Sequence, residues 1–214
     1  MTNPAFAFGA IVIIISYYAQ FINNFFVYDD FRYIENLFSG IGATLLGYNT
    51  IRIVGNIAFL PLHFLSGLSP IGYNIFNLII HFINSLMLYF LLNILFKNSL
   101  LSFFAGIIFV ASAVASDAVF WKTANCNLLS LMFCLITFYL YIRWRQEDKK
   151  SHFLWSLLTY TFAMFSKEDS ASLPILIFLI EILFWGGWKD KLSLFKRLIP
   201  YFVIVLFYLF TSLI

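Results

Sequence analysis

The stretch AFAFGAIVIIISYYAQFINNFFVYDD, residues 5–30, is a long apolar run that ends in two adjacent aspartates. Residues 1–28 contain no Asp, Glu, Lys or Arg, and the apolar part exceeds the roughly 20 residues that cross a bilayer as a helix. It lacks the basic start, short apolar centre and small-residue cleavage site of a signal peptide. The stretch therefore predicts an uncleaved first membrane span that ends beside Asp29 and Asp30.

The composition places most of this chain in lipid. Hydrophobic residues make up 62% of the 214 residues and charged residues 11%, whereas a soluble domain has about 45–50% and about 25%. No basic stripe is interleaved with aromatic residues on a polar segment, which excludes nucleic-acid binding. The sequence also lacks a glycine-rich phosphate loop, a zinc-binding spacing and a nucleophile elbow.

Charge-poor apolar stretches recur along the whole chain. They predict an all-α integral membrane protein with about seven transmembrane helices. We expect a single polytopic domain over residues 1–214, which is either complete or the N-terminal part of a longer protein. The seven stretches are residues 5–27, 70–96, 98–116, 123–142, 151–166, 170–188 and 198–214.

One further apolar segment is too short to count as a span. Ile53 to Ser66 is 14 residues long and contains Pro61. This length favours a helix that lies on the membrane or dips into it, within a first loop over residues 28–69. A crossing is the alternative, and it would separate the paired aspartates from the acids further along the chain.

The distribution of Lys and Arg predicts the orientation. If the short segment does not cross, the loops at residues 97–98, 143–150 and 189–197 share one side and carry nine of the thirteen Lys and Arg residues. That side is the cytoplasm by the positive-inside tendency, and the N-terminus lies there too. The first loop and the turns at residues 116–122 and 167–170 then face the extracytoplasmic side.

The paired acids are the first candidates for chemistry. Two carboxylates side by side suit a proton acceptor or a cation ligand. The alternative is that Asp29 or Asp30 caps a helix starting at DDFRYIEN. Charged residues from the other two turns are expected on the same side, namely Asp117, Lys122, Lys167 and Glu168.

Ionisable groups also lie within the spans. An ionisable group inside a membrane marks a functional site, but His81 in the second span equally suits a hydrogen bond between packed helices. Glu181 interrupts the sixth span. We expect it to reach the cytoplasmic interface, because long polar side chains extend toward water.

Four pieces of the sequence resemble the GT-C membrane glycosyltransferases, most closely the N-terminal part of transmembrane O-mannosyltransferases that carry tetratricopeptide repeats. The pieces are VYDDFRYIEN, GLSPIGYNIFNLIIH, DAVFWKTANCNLLSLMFCLITFYLY and SKEDSASLPIL, which together cover most of residues 27–180. The resemblance implies a GT-C-like fold with two interfacial helices in the first extracytoplasmic loop.

The resemblance also implies a reaction. Such enzymes transfer a sugar, with inversion, from a polyprenyl-phosphate-linked donor to a protein or glycan hydroxyl on the extracytoplasmic face. Asp29 matches the family's first acid, the general base, and Asp30 matches the second. The residues expected at the donor phosphate or the acceptor are Arg52, His81, Asp117, Lys122, Asn125, Lys167 and Glu168. A divalent cation, Mg or Mn, is a further candidate, with Asp29, Asp30 and Glu168 as its ligands.

The match is incomplete at several positions. Ser112 and Ala113 stand where the family often has an HP pair, Asp117 replaces a Glu, and Asn125 replaces an Arg. A non-catalytic GT-C module that supports a partner membrane protein therefore stays an alternative to the enzyme, and a small transporter is a third reading. The expected location is a bacterial or archaeal plasma membrane rather than the endoplasmic reticulum, with membrane lipids as partners.

Overall fold

The computed structural model describes residues 4–39, 51–112, 118–187 and 190–212, and every regular element in these ranges is helical. We number the α-helices whose bounds fall within these ranges α1 to α9. They are Pro4–Ile13, Asp30–Ser39, Ile53–Ser66, Pro70–Phe96, Ser99–Ala111, Asn125–Glu147, Lys150–Ser166, Leu173–Trp185 and Lys191–Ser212. For the described residues, the prediction of an all-α fold is confirmed.

Four helical segments of the described residues are long and apolar enough to cross a membrane. They are Pro4–Phe21, Pro70–Phe96, Lys122–Glu147 and Lys191–Ser212. The first adds a π turn and a 3-10 turn to α1, and the third adds a 3-10 turn to the start of α6. The chain is therefore an integral membrane protein, as its composition predicts.

The predicted number of seven spans is not confirmed. The stretches at residues 98–116 and 170–188 contain α5 and α8, helices of 13 residues each. Each is about 20 Å long at 1.5 Å per residue, against about 30 Å for the hydrocarbon core. A charge-poor stretch can include turns as well as a helix. The stretch 170–188 begins within a 3-10 turn formed by residues 168–172, and α8 ends before Gly186, whose φ is 62°.

The first span is also helical over a shorter length than predicted. Residues 22–29 are irregular, although residues 22–27 carry no charge. Irregular backbone in a membrane protein requires hydrogen-bond donors for its carbonyl groups. Asn74 Nδ2 donates to the carbonyl of Ile22 over 2.7 Å, and the Lys122 ammonium donates to the carbonyls of Asn24 and Phe25.

Helix α4 carries a polar seam along one face. The side chains of the seam recur at helical spacing and are fully buried: Asn74, Asn77, His81, Asn84 and Ser85. They donate hydrogen bonds to backbone carbonyls of neighbouring segments, such as Asn77 to Val119 over 3.0 Å and Asn84 to Leu128 over 2.9 Å. The polar seam thereby connects α4 to the end of the first span, to α5 and to the start of α6.

The largest apolar cluster of the described residues lies among α4, α6, α7, α8 and α9. Tyr141, Tyr160 and Tyr201 are fully buried in it. Helix α9 also presents an outward apolar stripe at helical spacing, formed by Leu192, Phe195, Ile199, Phe202, Leu206 and Phe210. An outward apolar stripe in a chain of this composition contacts lipid.

Two helices, α2 and α3, fall within the predicted first loop. Helix α3 is 14 residues long, about 21 Å at 1.5 Å per residue. It ends before Gly67, whose φ of 54° suits a residue without a side chain. This length agrees with a helix that does not cross the bilayer, and its orientation relative to the membrane stays a prediction.

Candidate functional site

A cavity of about 160 Å³ lies where the first loop meets the start of α6 and the turn between α7 and α8. Its lining combines one carboxylate, Asp29, with two cations, Arg52 and Lys167. The other described residues that line it are Tyr33, Trp121, Thr123, Ala124 and Asn127. Segments far apart in the sequence thus place opposite charges around one cavity, which we call the charged cavity.

Asp29 stands directly before α2, and its side chain is exposed. The preceding residue, Tyr28, has a φ of 48°, in the left-handed region that costs a non-glycine residue about 1–2 kcal/mol. This turn leads the chain from the irregular segment into α2. The carbonyl of Asp29 accepts the Tyr33 N–H over 3.1 Å, so Asp29 begins the helix while its side chain lines the charged cavity.

Asp30 has surroundings opposite to those of Asp29. It is fully buried. Oδ2 accepts the N–H of Val27 over 3.0 Å, and Oδ1 accepts the N–H of Thr123 over 2.8 Å. Both carboxylate oxygens bind backbone, so Asp30 fastens the first loop to the turn before α6 and positions Asp29.

Lys122 is also buried, and as a hydrogen-bond donor it connects the same two segments, the first loop and the turn before α6. Its ammonium donates to the carbonyls of Asn24 over 2.7 Å, Phe25 over 2.8 Å and Phe120 over 3.0 Å. An ammonium has three N–H donors. Because backbone carbonyls accept from all three, Lys122 supports the wall of the site and offers no N–H to a phosphate in this arrangement.

Arg52, directly before α3, forms a bidentate ion pair with Glu168 in the turn between α7 and α8. Arg52 Nε donates to Oε2 over 3.1 Å and Nη2 donates to Oε1 over 2.5 Å. Partial burial acts to raise the pKa of Glu168, but hydrogen bonds from Arg52 and from its own backbone, with the charges of Arg52 and Lys167, outweigh it. The pKa of Glu168 is therefore below its ordinary value of 4.5.

Lys167 lies at the point where α7 ends. Its backbone is extended, with φ −160° and ψ 141°, and a 3-10 turn then leads into α8, where Pro174 fits the first helical turn. The ammonium of Lys167 lies 2.7 Å from Asp169 Oδ2. Each cation of the charged cavity thus has a carboxylate partner from the same short turn.

Two further predicted site residues, His81 and Asn125, are not among the residues that line the charged cavity. His81 is fully buried, donates from Nε2 to the carbonyl of Val110 over 3.3 Å, and lines an adjoining cavity of about 220 Å³. Asn125 is buried and donates to the carbonyl of Gly55 over 3.2 Å, which joins α6 to α3. Asp117 lies outside the described residues.

Sequence reasoning missed three polar residues of the charged cavity, Tyr33, Thr123 and Asn127. Asn127 is exposed and lines both this cavity and the cavity of His81. It follows Asn125 by two positions, about 200° around a helix, which is the only signal the sequence offers that the two amides face different ways. Burial raises the pKa of Tyr33 well above its ordinary value, so its phenol stays protonated.

An apolar groove continues from the charged cavity between α6 and α8. This cavity of about 300 Å³ shares Asn127 and Lys167 with the charged cavity. Its apolar lining consists of Leu131, Cys134, Phe138, Leu173 and Leu176, and the polar residues Ser130, Asp169, Ser170 and Ser172 also line it. From Asn127 to Phe138 the axis of α6 rises by about 16 Å, so the groove extends along a membrane-spanning helix.

A wider aromatic cavity opens on another side of the charged cavity. Its volume is about 700 Å³, and the two cavities share Trp121. Its other described lining residues are Asn24, Phe25, Val27, Tyr28 and Phe120. The charged cavity therefore adjoins an apolar groove and an aromatic cavity, in addition to the cavity of His81.

Two of the three acids proposed as metal ligands, Asp30 and Glu168, are already engaged by N–H groups in this arrangement. Both oxygens of Asp30 accept backbone N–H groups, and both oxygens of Glu168 accept N–H groups of Arg52. Within residues 4–39, 51–112, 118–187 and 190–212, no three His, Cys, Asp or Glu side chains are grouped to hold a metal ion.

The expectation that Glu181 reaches the cytoplasmic interface is wrong. Its side chain is fully buried. Its carboxylate accepts the hydroxyl of Tyr141 over 2.6 Å, and it pairs with Arg145 over 2.5 Å and with Arg197 over 3.3 Å. Donors from α6 and α9 satisfy the charge inside the protein, so the side chain does not need to extend to water.

One protein-family profile matches the chain over residues 62–214, and it describes the dolichyl-phosphate-mannose-protein mannosyltransferases. The match includes Lys167 and Glu168 and begins after Asp29, Asp30 and Arg52. No curated protein and no solved structure matches the chain. Because the matched residues make up more than two thirds of the sequence, this protein belongs to the dolichyl-phosphate-mannose-protein mannosyltransferase family, whose members are membrane glycosyltransferases of the GT-C type.

Proposed function

We propose that this protein transfers a sugar, with inversion, from a polyprenyl-phosphate donor to a hydroxyl group of a protein or glycan on the extracytoplasmic side. The observation that carries the proposal is the cavity lined by Asp29, Arg52 and Lys167. It supplies a proton acceptor and positive charge for a phosphate leaving group, which this reaction requires. The family makes mannose the first sugar to test.

The donor takes the side of the cavity that continues into the apolar groove. Lys167 lines both, so a phosphate held there by Lys167 and Arg52 has its prenyl tail at the mouth of the groove. The groove between α6 and α8 has an apolar lining and buries the first prenyl units, which lose their contact with water. The protein thus binds the donor by charge at its phosphate and by apolar contact at its prenyl tail.

Asp29 acts as the general base. Its carboxylate accepts the proton of the acceptor hydroxyl as the hydroxyl oxygen attacks the anomeric carbon. The bond between this carbon and the phosphate oxygen breaks, and the phosphate leaves with the electron pair, stabilised by the cations. Attack from the face opposite the phosphate inverts the anomeric carbon.

The acceptor enters from the aromatic cavity. Trp121 lines both that cavity and the charged one, and the adjacent Tyr28 precedes the base in the chain. An acceptor lying against these rings has its hydroxyl near Asp29, on the side away from the apolar groove. Asp30 and Lys122 keep this geometry by fastening the first loop to the turn before α6.

The test is mannose transfer by the purified chain in proteoliposomes supplied with polyprenyl-phosphate mannose. We expect Asp29→Asn to lower the rate by about 10²–10⁴-fold, because a neutral amide cannot accept the proton. Asp148→Asn is the matched control, since Asp148 follows α6 with a left-handed φ of 53° that asparagine adopts readily. The control is expected to keep the wild-type rate.

Two results would contradict this assignment in different ways. If Asp29→Asn transfers mannose at the wild-type rate, Asp29 is not the base. If the wild-type chain binds the donor but neither transfers nor hydrolyses its sugar, the protein is a non-catalytic module that supports a partner membrane protein.

A further inference from the structure

The ion pair of Arg52 and Glu168 engages one edge of the guanidinium that can bind an anion through two N–H groups. Nε and Nη2 of Arg52 both donate to this carboxylate, over 3.1 Å and 2.5 Å. A guanidinium offers the same two parallel N–H groups to a phosphate as to a carboxylate. Glu168 therefore occupies an anion-binding edge of Arg52, and Arg52 lines the charged cavity.

We propose that Glu168 is a built-in surrogate for the donor phosphate. This inference rests on the proposed function. When the donor binds, its phosphate displaces the Glu168 carboxylate from Arg52, and the pair forms again when the product phosphate leaves. No covalent bond changes in this exchange.

The exposure of the pair makes such an exchange easy. The side chains of Arg52 and Glu168 are 28% and 39% exposed, and ion pairs that water reaches contribute little to stability. The second cation, Lys167, is also in an ion pair that water reaches, because its partner Asp169 has a side chain that is 71% exposed. A phosphate bound between the two cations gains more charge interaction than either carboxylate gives up.

The surrogate also gives selectivity for a phosphate that carries a lipid tail. Glu168 and Asp169 neutralise Arg52 and Lys167 in the free protein, so a small anion must displace them without any other gain. A prenyl phosphate gains the apolar contacts of the groove as well. Inorganic phosphate is therefore expected to compete poorly.

The experiment measures the dissociation constant of farnesyl phosphate for the purified chain in detergent micelles. The apparent affinity of a ligand is reduced when its site is occupied by another group, so Glu168→Gln is expected to bind roughly two- to tenfold more tightly than wild type. Arg52→Lys is expected to bind more weakly, because an ammonium lacks the paired N–H groups. Farnesol and inorganic phosphate test the tail and the phosphate separately.

Glu147→Gln is the matched control. Glu147 pairs with Arg143 over 2.5 Å and with Lys149 over 2.9 Å at the other end of α6. Its replacement removes the same charge from an ion pair that does not line the cavity. The dissociation constant is expected to stay at the wild-type value, which separates the local exchange from a change in net charge.

The sign of the effect decides the inference. If Glu168 only orients Arg52, Glu168→Gln binds farnesyl phosphate equally or more weakly, and the exchange is overturned while the donor site stands. If wild type and Glu168→Gln both fail to bind it, the phosphate site and with it the proposed function fail. Thermal unfolding establishes that the variant folds. Should Glu168→Gln not fold, Glu168→Asp, whose shorter side chain loosens the pair, must also bind more tightly.

Discussion

Asp29 and Asp30 are identical neighbours with different tasks because α2 starts between them. Asp29 is exposed and lines the charged cavity, whereas Asp30 turns inward and accepts two backbone N–H groups. The lysines divide in the same way. Lys122 donates to three carbonyls, and Lys167 lines the cavity. At this scale, function depends on which polar atoms the backbone has already engaged.

The pair of Arg52 and Glu168 gives stability a dependence on pH. Because the pKa of Glu168 is lower in the folded chain than its ordinary value of 4.5, the contribution is complete above pH 4.5 and is lost as the pH falls through the lowered pKa. We expect Glu168→Gln to melt below wild type at pH 7, by an amount worth less than about 1 kcal/mol because the pair is partly exposed. The measurement is thermal unfolding of both proteins in one detergent between pH 7 and pH 3. The difference should shrink as the pH falls below 4.5, and a difference that grows on acidification would contradict the assignment.

At the scale of elements, α4 organises the fold through its polar seam. Amide donors on one face of this helix bind backbone carbonyls of neighbouring segments. These include the carbonyls of Ile22 and Asn24 in the irregular segment after the first span, which no regular helix satisfies. Apolar residues in their place would leave buried carbonyls without partners in the membrane. The seam therefore makes the irregular segment, and hence the position of Asp29, compatible with lipid.

The prediction for the seam is a loss of stability and of activity together. Asn77 donates to the carbonyls of Val119 over 3.0 Å and of Trp121 over 3.3 Å. We expect Asn77→Leu to lower the free energy of unfolding by about 1–3 kcal/mol, the cost of leaving buried acceptors unpaired. It should also lower sugar transfer, since Trp121 lines the charged cavity. The partly buried Asn93, near the other end of α4, provides the control Asn93→Leu, and chemical unfolding in mixed micelles gives the measurement. Equal stability of the two variants would show that the hydrogen bonds of the polar seam do not stabilise the fold.

At the scale of the whole molecule, the helices bring three charged turns to one end. The hydrogen bond from Thr123 to Asp30 and the ion pair of Arg52 with Glu168 connect the first loop to the other two turns. The basic residues of the loop after α6 lie at the opposite end of that helix. We propose that the charged cavity faces the extracytoplasmic side, with the N-terminus in the cytoplasm, because the basic loops favour the cytoplasm.

Cysteine labelling tests this orientation. In a background with Cys126→Ala and Cys134→Ser, a cysteine is introduced at the exposed Tyr28 or at the exposed Lys150. A thiol reagent that cannot cross the membrane should label Tyr28→Cys in intact cells and Lys150→Cys only after permeabilisation. Labelling of both from outside would contradict the bundle topology, and the reverse pattern would place the charged cavity in the cytoplasm.

Several features could be predicted from the sequence because they depend on local composition. The apolar content requires a membrane environment, the charge-poor stretches locate most of the helices, and the 14 residues from Ile53 to Ser66 are fewer than the roughly 20 that a span normally needs. The number of spans was less predictable. A charge-free stretch does not distinguish helix from turn, as the irregular residues 22–27 show.

The sequence by itself determined that this chain is a helical membrane protein with acids and cations in its turns. Only the tertiary structure decided which of them face a cavity. Lys122 and Asp30 are committed to backbone groups about a hundred residues away, such as the carbonyl of Asn24, 98 positions from Lys122, and the N–H of Thr123, 93 positions from Asp30. The physical reason is that a buried charge takes its hydrogen-bond partners from whatever segment the fold packs against it, and no local pattern of residues encodes a partner at that distance.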